Sequence, residues 1–119
     1  MTPVAIVDDD SSMRRSLSRL LRLAGYEPCS FGSAEDFLAD ADRARFACAL
    51  VDIQLGGMSG LDLQCSLAER GDATALIFVT AHDEPALRAE AIRHGCAAFF
   101  SKTAHGARIL EAIRCVARP

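Results

Sequence analysis

The sequence predicts an α/β domain of five strand–helix units wound on both sides of a five-stranded parallel sheet. Three observations carry the prediction. Short apolar runs recur along the chain, each is followed by a helical pattern, and the runs are apolar throughout rather than alternating. Unbroken apolar runs mark strands covered on both faces, as in a parallel sheet. Units in this order call for right-handed crossovers and a doubly wound sheet. The 119 residues suffice for one domain with its own core, and no internal repeat, linker or low-complexity tract divides residues 1–119.

The elements follow in order. Pro3–Val7 reads as the first strand. Met13, Leu17, Leu20, Leu21 and Ala24 then recur at helical spacing, with Gly25 as a stop. Tyr26–Phe31 is a weaker strand, and its polarity and Pro28 suit a sheet edge. Ser33 can cap a helix carrying Ala34, Phe37 and Leu38, with Asp36 as capping-box partner. Ala47–Val51 is a third strand, and Leu61, Leu63, Leu67 and Ala68 form a helix ended by Gly71. Ala75–Val79 is a fourth, followed by Asp83-Glu84-Pro85, a start signal with Pro in the first turn, and by Leu87, Ala91 and Ile92 up to Gly95. Ala98–Phe100 is the fifth, and Ile109, Leu110, Ile113 and Val116 close the chain as a helix.

Composition narrows the function. With half the residues hydrophobic and 24% charged, the chain is not a disordered one. Trp is absent and aromatics are 6%, so aliphatic and small residues are expected to fill the core. A net charge of −3 argues against direct nucleic-acid binding. Arg14, Arg15, Arg19 and Arg22 cluster, but their spacing reads as the solvated side of a helix. Five cysteines, an odd number without a CxxC pair, argue against a disulfide framework or zinc site and favour reduced, buried thiols in a cytosolic protein. No apolar run is long enough for a signal peptide or membrane span. Of the 13 basic residues all but one are Arg; the exception is Lys102.

In doubly wound sheets chemistry gathers beyond the C-terminal ends of the strands. There the sequence places Asp8, Asp9 and Asp10 after the first strand, Asp52 after the third, Thr80 after the fourth and Lys102 after the fifth. Clustered carboxylates repel and raise one another's pKa unless a cation joins them. A hard divalent ion such as Mg²⁺ suits a few carboxylates, waters and a phosphoryl oxygen. Lys102 adds a compact positive charge and Thr80 a short hydroxyl donor. An Asp in that company is a nucleophile toward phosphorus, giving an aspartyl phosphate whose charge the cation and the lysine offset.

These residues, with the segments VDDDSSMRRSL, SAEDFL, VDIQLGGMSGLDL, FVTAHD and GCAAFFSK, resemble the receiver domain of bacterial two-component response regulators over essentially the whole chain. The spacings agree too: 43 residues from Asp9 to Asp52, 28 on to Thr80 and 22 on to Lys102. SAEDFL and TAHD look most like receivers that precede a helix-turn-helix output domain in transcription regulators. The resemblance implies a flavodoxin-like strand order 2-1-3-4-5 and a phosphorylation-dependent switch that catalyses only its own aspartyl phosphorylation and dephosphorylation. Asp52 would accept the phosphoryl group. Asp8, Asp9 and Asp52, with the backbone carbonyl of Gln54, would hold Mg²⁺ or Mn²⁺. Thr80 and Lys102 would engage the phosphoryl oxygens, and Phe99 would follow Thr80. Gln54 and His82 would tune the phosphate's lifetime. The implied partners are a sensor histidine kinase or phosphotransfer protein, and a downstream target or C-terminal output domain. A homodimer formed on phosphorylation is a further one, and the implied location is the cytoplasm, away from membranes. Asp10 would cap the first helix, His94 would sit at a helix C-terminus, and a linker would begin near Pro119.

The chain departs from the family's pattern twice. Leu55-Gly56-Gly57 stands where L/M-P-G is usual, which loosens the loop after Asp52. Lys102-Thr103 stands where Lys-Pro is usual, often with a cis bond; a cis bond before Thr103 costs about 3 kcal/mol more than trans. Either the loop runs through a trans peptide or it stores strain, and Ala104 replaces a bulky apolar residue there. These departures motivate an alternative reading, a receiver-like scaffold that binds partners without phosphorylation. Asp8-x-Asp10 also resembles the nucleophile motif of haloacid-dehalogenase-type phosphatases, but 119 residues leave little room for their cap. An FMN site is disfavoured by the acidic first loop, which lacks a phosphate cradle.

Overall fold

The computed structural model describes residues 1–117; Arg118 and Pro119, and with them the expected linker start, lie outside the described residues. The elements are β1 (Thr2–Val7), α1 (Ser11–Leu23), β2 (Tyr26–Phe31), α2 (Ala34–Ala39), a 3-10 turn (Arg43–Arg45), β3 (Ala49–Val51), α3 (Gly60–Glu69), β4 (Leu76–Thr80), α4 (Pro85–Arg93), β5 (Ala98–Ser101) and α5 (Gly106–Val116). All neighbouring strands pair in parallel, in the order β2-β1-β3-β4-β5. The expected class and order are both present, and Pro28 does lie on an edge strand. The third strand is shorter than expected: Ala47 and Cys48 precede β3, although Ala47 N–H still donates to Pro3 O and Cys48 O accepts from Ala5 N–H.

Alternation along the strands divides the core in two. Val4, Ile6, Cys48, Leu50, Ile77 and Val79 face α1 and α5, meeting Leu17, Leu21, Ile109 and Ile113. Ala5, Val7, Ala49, Val51, Phe78 and Phe99 face the other way, toward Phe37, Leu63, Leu67 and Ala91. Because both faces are covered, β1, β3 and β4 have no polar position in mid-strand, which is why their runs read as continuously apolar, whereas edge strand β2 keeps Glu27 and Ser30. The few aromatics matter more than composition suggested. Phe37 and Phe78 are the largest fully buried side chains, and Phe31, Phe37 and Phe46 form a cluster with centroids 5.3–6.0 Å apart.

Several local expectations need correction. The Ser33–Asp36 capping box closes only halfway: Ser33 Oγ accepts the Asp36 N–H at 3.0 Å, and no return bond from Asp36 is present. A complete box forms instead at α3, where Ser59 Oγ accepts from Asp62 N–H at 3.0 Å and Asp62 Oδ2 accepts from Ser59 N–H at 3.2 Å. Ser59→Ala is therefore expected to lower stability by about 1 kcal/mol; an unchanged urea midpoint would contradict the cap. Ile92, which the helical period puts on the apolar side of α4, is 56% exposed; α4 buries Ala91 instead.

The cysteines are free, as expected, but not uniformly buried: Cys65 and Cys115 are exposed, and only Cys48 is fully inside. Burial pushes the Cys48 thiol up to about 12. The stability tied to this group is thus present below the ordinary thiol value of 9.0 and is lost as pH rises through about 12. Under mildly alkaline conditions an alkylating reagent is expected to label Cys65 and Cys115 and spare Cys48 until the protein unfolds; mass mapping of labelled peptides reads the difference.

Candidate functional site

A parallel sheet brings the C-terminal ends of all its strands to one edge, and the loops that leave this edge carry the site. At the end of β1, Asp8 is buried and Asp9 exposed; at the end of β3, Asp52 is buried. One oxygen from each of these three carboxylates lies within 4.8 Å of the others. From the end of β5, Lys102 Nζ reaches Asp52 Oδ2 at 3.0 Å and Asp8 Oδ2 at 3.2 Å. Thr80, at the end of β4, is fully buried, and its carbonyl accepts the Lys102 N–H at 2.9 Å. The structure therefore gathers Asp8, Asp9 and Asp52, sets Lys102 on Asp8 and Asp52, and places Thr80 beside the base of the lysine.

The electrostatics follow from burial and charge. Burial lifts the Asp8 carboxyl above its ordinary value of 3.8, and the negative charge of Asp52 adds to this; the Asp10 N–H and Lys102 oppose it without cancelling it. Burial works to lower the Lys102 ammonium, but the hydrogen bond and charge of Asp52, then those of Asp8, outweigh it and hold the group above 10.5. Three carboxylates against one ammonium leave two negative charges in a half-buried pocket. That donor set, all hard oxygens with an excess of two charges, fits a divalent cation of the Mg²⁺ or Mn²⁺ class.

Supporting residues hold these groups in place. Asp10 caps α1 as expected, its Oδ1 accepting the Ser12 and Met13 N–H groups at 2.9 and 3.3 Å. The hydrogen bond from the Ser12 hydroxyl, together with the Met13 and Ser12 N–H groups, holds the Asp10 carboxyl below its usual value. Asp10 is thus committed to the helix, and its own N–H donates to Asp8 Oδ1 at 2.9 Å. Arg14 departs from the solvated arginine face: its Nη1 donates to the Asp8 carbonyl at 2.7 Å. The partner is a backbone carbonyl, so no residue pattern marks the contact. α3 starts directly on the backbone of Asp52: Gly60 N–H donates to Ile53 O at 2.9 Å, and a Cβ at Gly60 would strike the Asp52 carbonyl.

The remaining expected residues are placed as follows. Gln54 is exposed, and its N–H donates to Asp52 Oδ1 at 3.2 Å. His82 is half-buried, and its N–H donates to Thr80 Oγ1 at 3.1 Å. Phe99 is 6% exposed. It packs on Phe78 with centroids 6.0 Å apart and lies under the Arg88 guanidinium, 4.8 Å away, which Asp83 holds at 3.2 Å. His94 is the C-cap of α4.

The loop after Lys102 resolves the alternative left open by Thr103. Among the described residues no peptide bond is cis, so Lys102–Thr103 is trans. Ser101–Ala104 closes as a tight turn, with Ala104 N–H on Ser101 O at 2.9 Å and Thr103 N–H on Ser101 Oγ at 3.2 Å. Thr103 thus supplies a donor that proline would lack.

Comparison with known proteins agrees with this geometry. The model of the family described as "Response regulator receiver domain" matches residues 4–114. Nodulation protein W of Bradyrhizobium diazoefficiens is 37% identical over 110 residues, covering 92% of this chain and 48% of that protein. Response regulator protein TodT of Pseudomonas putida is 36% identical over 111 residues, 93% of this chain and 49% of that protein. The chain spans about half the length of these relatives. Among solved structures, "FixJ-N" superposes with a TM-score of 0.90 at 31% identity, covering 98% of this chain and 94% of that one. The chemotaxis protein CheY4 of Vibrio cholerae superposes with a TM-score of 0.86 at 25% identity, covering 98% of both chains. The hydrolase and FMN readings find no support in these matches, and no helix among the described residues is long and apolar enough to cross a membrane. With a family model spanning nearly its whole length and an acid cluster bridged by one lysine at the expected strand ends, this chain belongs to the response regulator receiver domain family.

Proposed function

We propose that residues 1–119 act as one phosphorylation-dependent switch, taking a phosphoryl group from the phosphohistidine of a sensor histidine kinase or phosphotransfer protein onto Asp52. The observation that carries this is Lys102 Nζ bridging Asp52 and Asp8 at 3.0 and 3.2 Å, with Asp9 in the same cluster. Asp8, Asp9, Asp52 and the backbone carbonyl of Gln54 are the groups that would hold Mg²⁺ or Mn²⁺; when bound, the ion offsets charge on the transferring group. An Asp52 oxygen forms the new O–P bond as the donor's P–N bond breaks, and the imidazole takes a proton as it leaves.

The acyl phosphate carries about two negative charges where the carboxylate carried one, and it spreads them over three exposed oxygens. Lys102 transfers its contact from the Asp52 carboxylate to the phosphoryl oxygens, and the Thr80 hydroxyl turns to donate to them. Phe99 follows into the room Thr80 vacates. This biases a two-state equilibrium of the α4–β5–α5 face toward a downstream target, an output domain or a second copy. Gln54 and His82, which flank Asp52 and Thr80, set how readily water reaches the acyl phosphate. The cytoplasm is the compartment that fits a kinase-fed switch with free thiols. Incubation with a small acyl phosphate and Mg²⁺ tests the reading: intact mass should rise by one phosphoryl group, and hydroxylamine should remove it. A chain that stays unmodified overturns it.

A further inference from the structure

Glu35 stands on the first turn of α2, in a segment with no expected role in the site. Its Oε2 accepts the Met58 N–H at 3.1 Å. The same oxygen lies against Gly57, where an added Cβ would meet it at 2.5 Å. Met58 and Gly57 belong to the β3–α3 loop, which begins at Asp52 and Gln54.

That loop has little else to hold its middle. Its base is tied by Gly60 N–H on Ile53 O and by Gln54 N–H on Asp52 Oδ1. Leu55 is buried and Met58 packs against the core. Gly56 and Gly57 between them have no side chains, and Gly56 has nothing near the place of a Cβ. Two adjacent glycines carry the largest backbone freedom of any pair. Gly57 also adopts φ +77°, where a side chain would be strained. Among the described residues the Glu35 carboxylate forms no ion pair, and its polar contact is the loop N–H.

We infer that Glu35 is a positioning residue for the phosphoryl-transfer site: it clasps the glycine-rich loop through Met58 N–H, in the gap left by Gly57, and so holds Gln54 against Asp52. The inference deepens the proposed function and rests on Gln54 and Asp52 sharing the cation. The role needs an acceptor oxygen rather than a charge, so glutamine can fill it and alanine cannot.

Mn²⁺ titration followed by electron paramagnetic resonance, together with hydrogen exchange of the Met58 amide in metal-free protein, tests it. Glu35→Ala is expected to weaken Mn²⁺ binding roughly three- to tenfold, the scale of one lost hydrogen bond, and to speed Met58 exchange. Glu35→Gln should stay near wild type in both. Gly57→Ala, which displaces the carboxylate, should weaken Mn²⁺ binding as well, and adding Glu35→Ala to it should cost little more. Alanine at 35 with wild-type Mn²⁺ affinity overturns the inference, as does glutamine no better than alanine. A wild-type chain that takes no Mn²⁺ overturns the metal reading and this inference together; one that binds Mn²⁺ whatever stands at 35 overturns this inference alone.

Discussion

Asp52→Asn is expected to leave a folded domain that gains no phosphoryl group from an acyl phosphate and Mg²⁺, where the wild-type chain gains one. The amide is nearly isosteric, so the packing of α3 on the Asp52 backbone survives, as does the Gly60 N–H bond to Ile53 O. What disappears is the nucleophilic oxygen. The two other carboxylates cannot replace it: Asp8 is paired with Lys102 and takes the Asp10 N–H, and Asp9 is exposed to solvent with no lysine contact. The loss should therefore be complete within detection by intact mass. Labelling that persists in Asp52→Asn would move the acceptor to another carboxylate, and peptide mapping would show which. A second readout is stability. Removing one negative charge from a cluster with an excess of two relieves repulsion, so metal-free Asp52→Asn should melt no lower than wild type.

Lys102→Arg is the second substitution with a large expected effect. It keeps net charge and should keep the fold, since the lysine stem is not in the core. Yet Nζ sits within 3.2 Å of two carboxylates from different strands, in a slot bounded by buried Asp8 and Asp52. An ammonium offers three donors from one point and fits there; a guanidinium is wide, planar and fixed in its fork. Lys102 is also the second residue of the tight Ser101–Ala104 turn, which holds its backbone in place. Losing a charge-assisted contact of about 1.5–3 kcal/mol shifts a two-state equilibrium by roughly ten- to more than a hundredfold. The variant should still accept a phosphoryl group, but amide chemical shifts at Thr80 and Phe99 should no longer respond to it. A normal response would show that Lys102 supplies charge alone.

The sheet and the acid cluster were legible for one reason: a covered parallel strand needs an apolar run, and parallel strands must deliver their C-terminal residues to a common edge. Asp8, Asp9, Asp52, Thr80 and Lys102 could therefore be placed without any contact being known. The groups that brace them could not. Arg14, Glu35 and Ser101 all act on backbone atoms, which carry no sequence signal, and Glu35 reaches a partner 23 residues away. The tetrads Ser33–Asp36 and Ser59–Asp62 show the same limit: both read S-x-x-D, but only the second closes in both directions. Whether the acid turns back to the cap depends on its rotamer and surroundings, which the tetrad does not encode. Ile92 fits a helical period but faces solvent, because small Ala91 makes the contact that brings α4 to the sheet.

The lysine has a practical consequence beyond catalysis. A chain with a single ε-amine, held by two carboxylates and kept above its ordinary pKa, presents almost no neutral side-chain amine to an acylating reagent. Apart from the amino terminus, amine chemistry on this domain is chemistry at the switch. The reactivity of one nitrogen becomes a gauge of whether the pocket holds carboxylates alone or a transferred group.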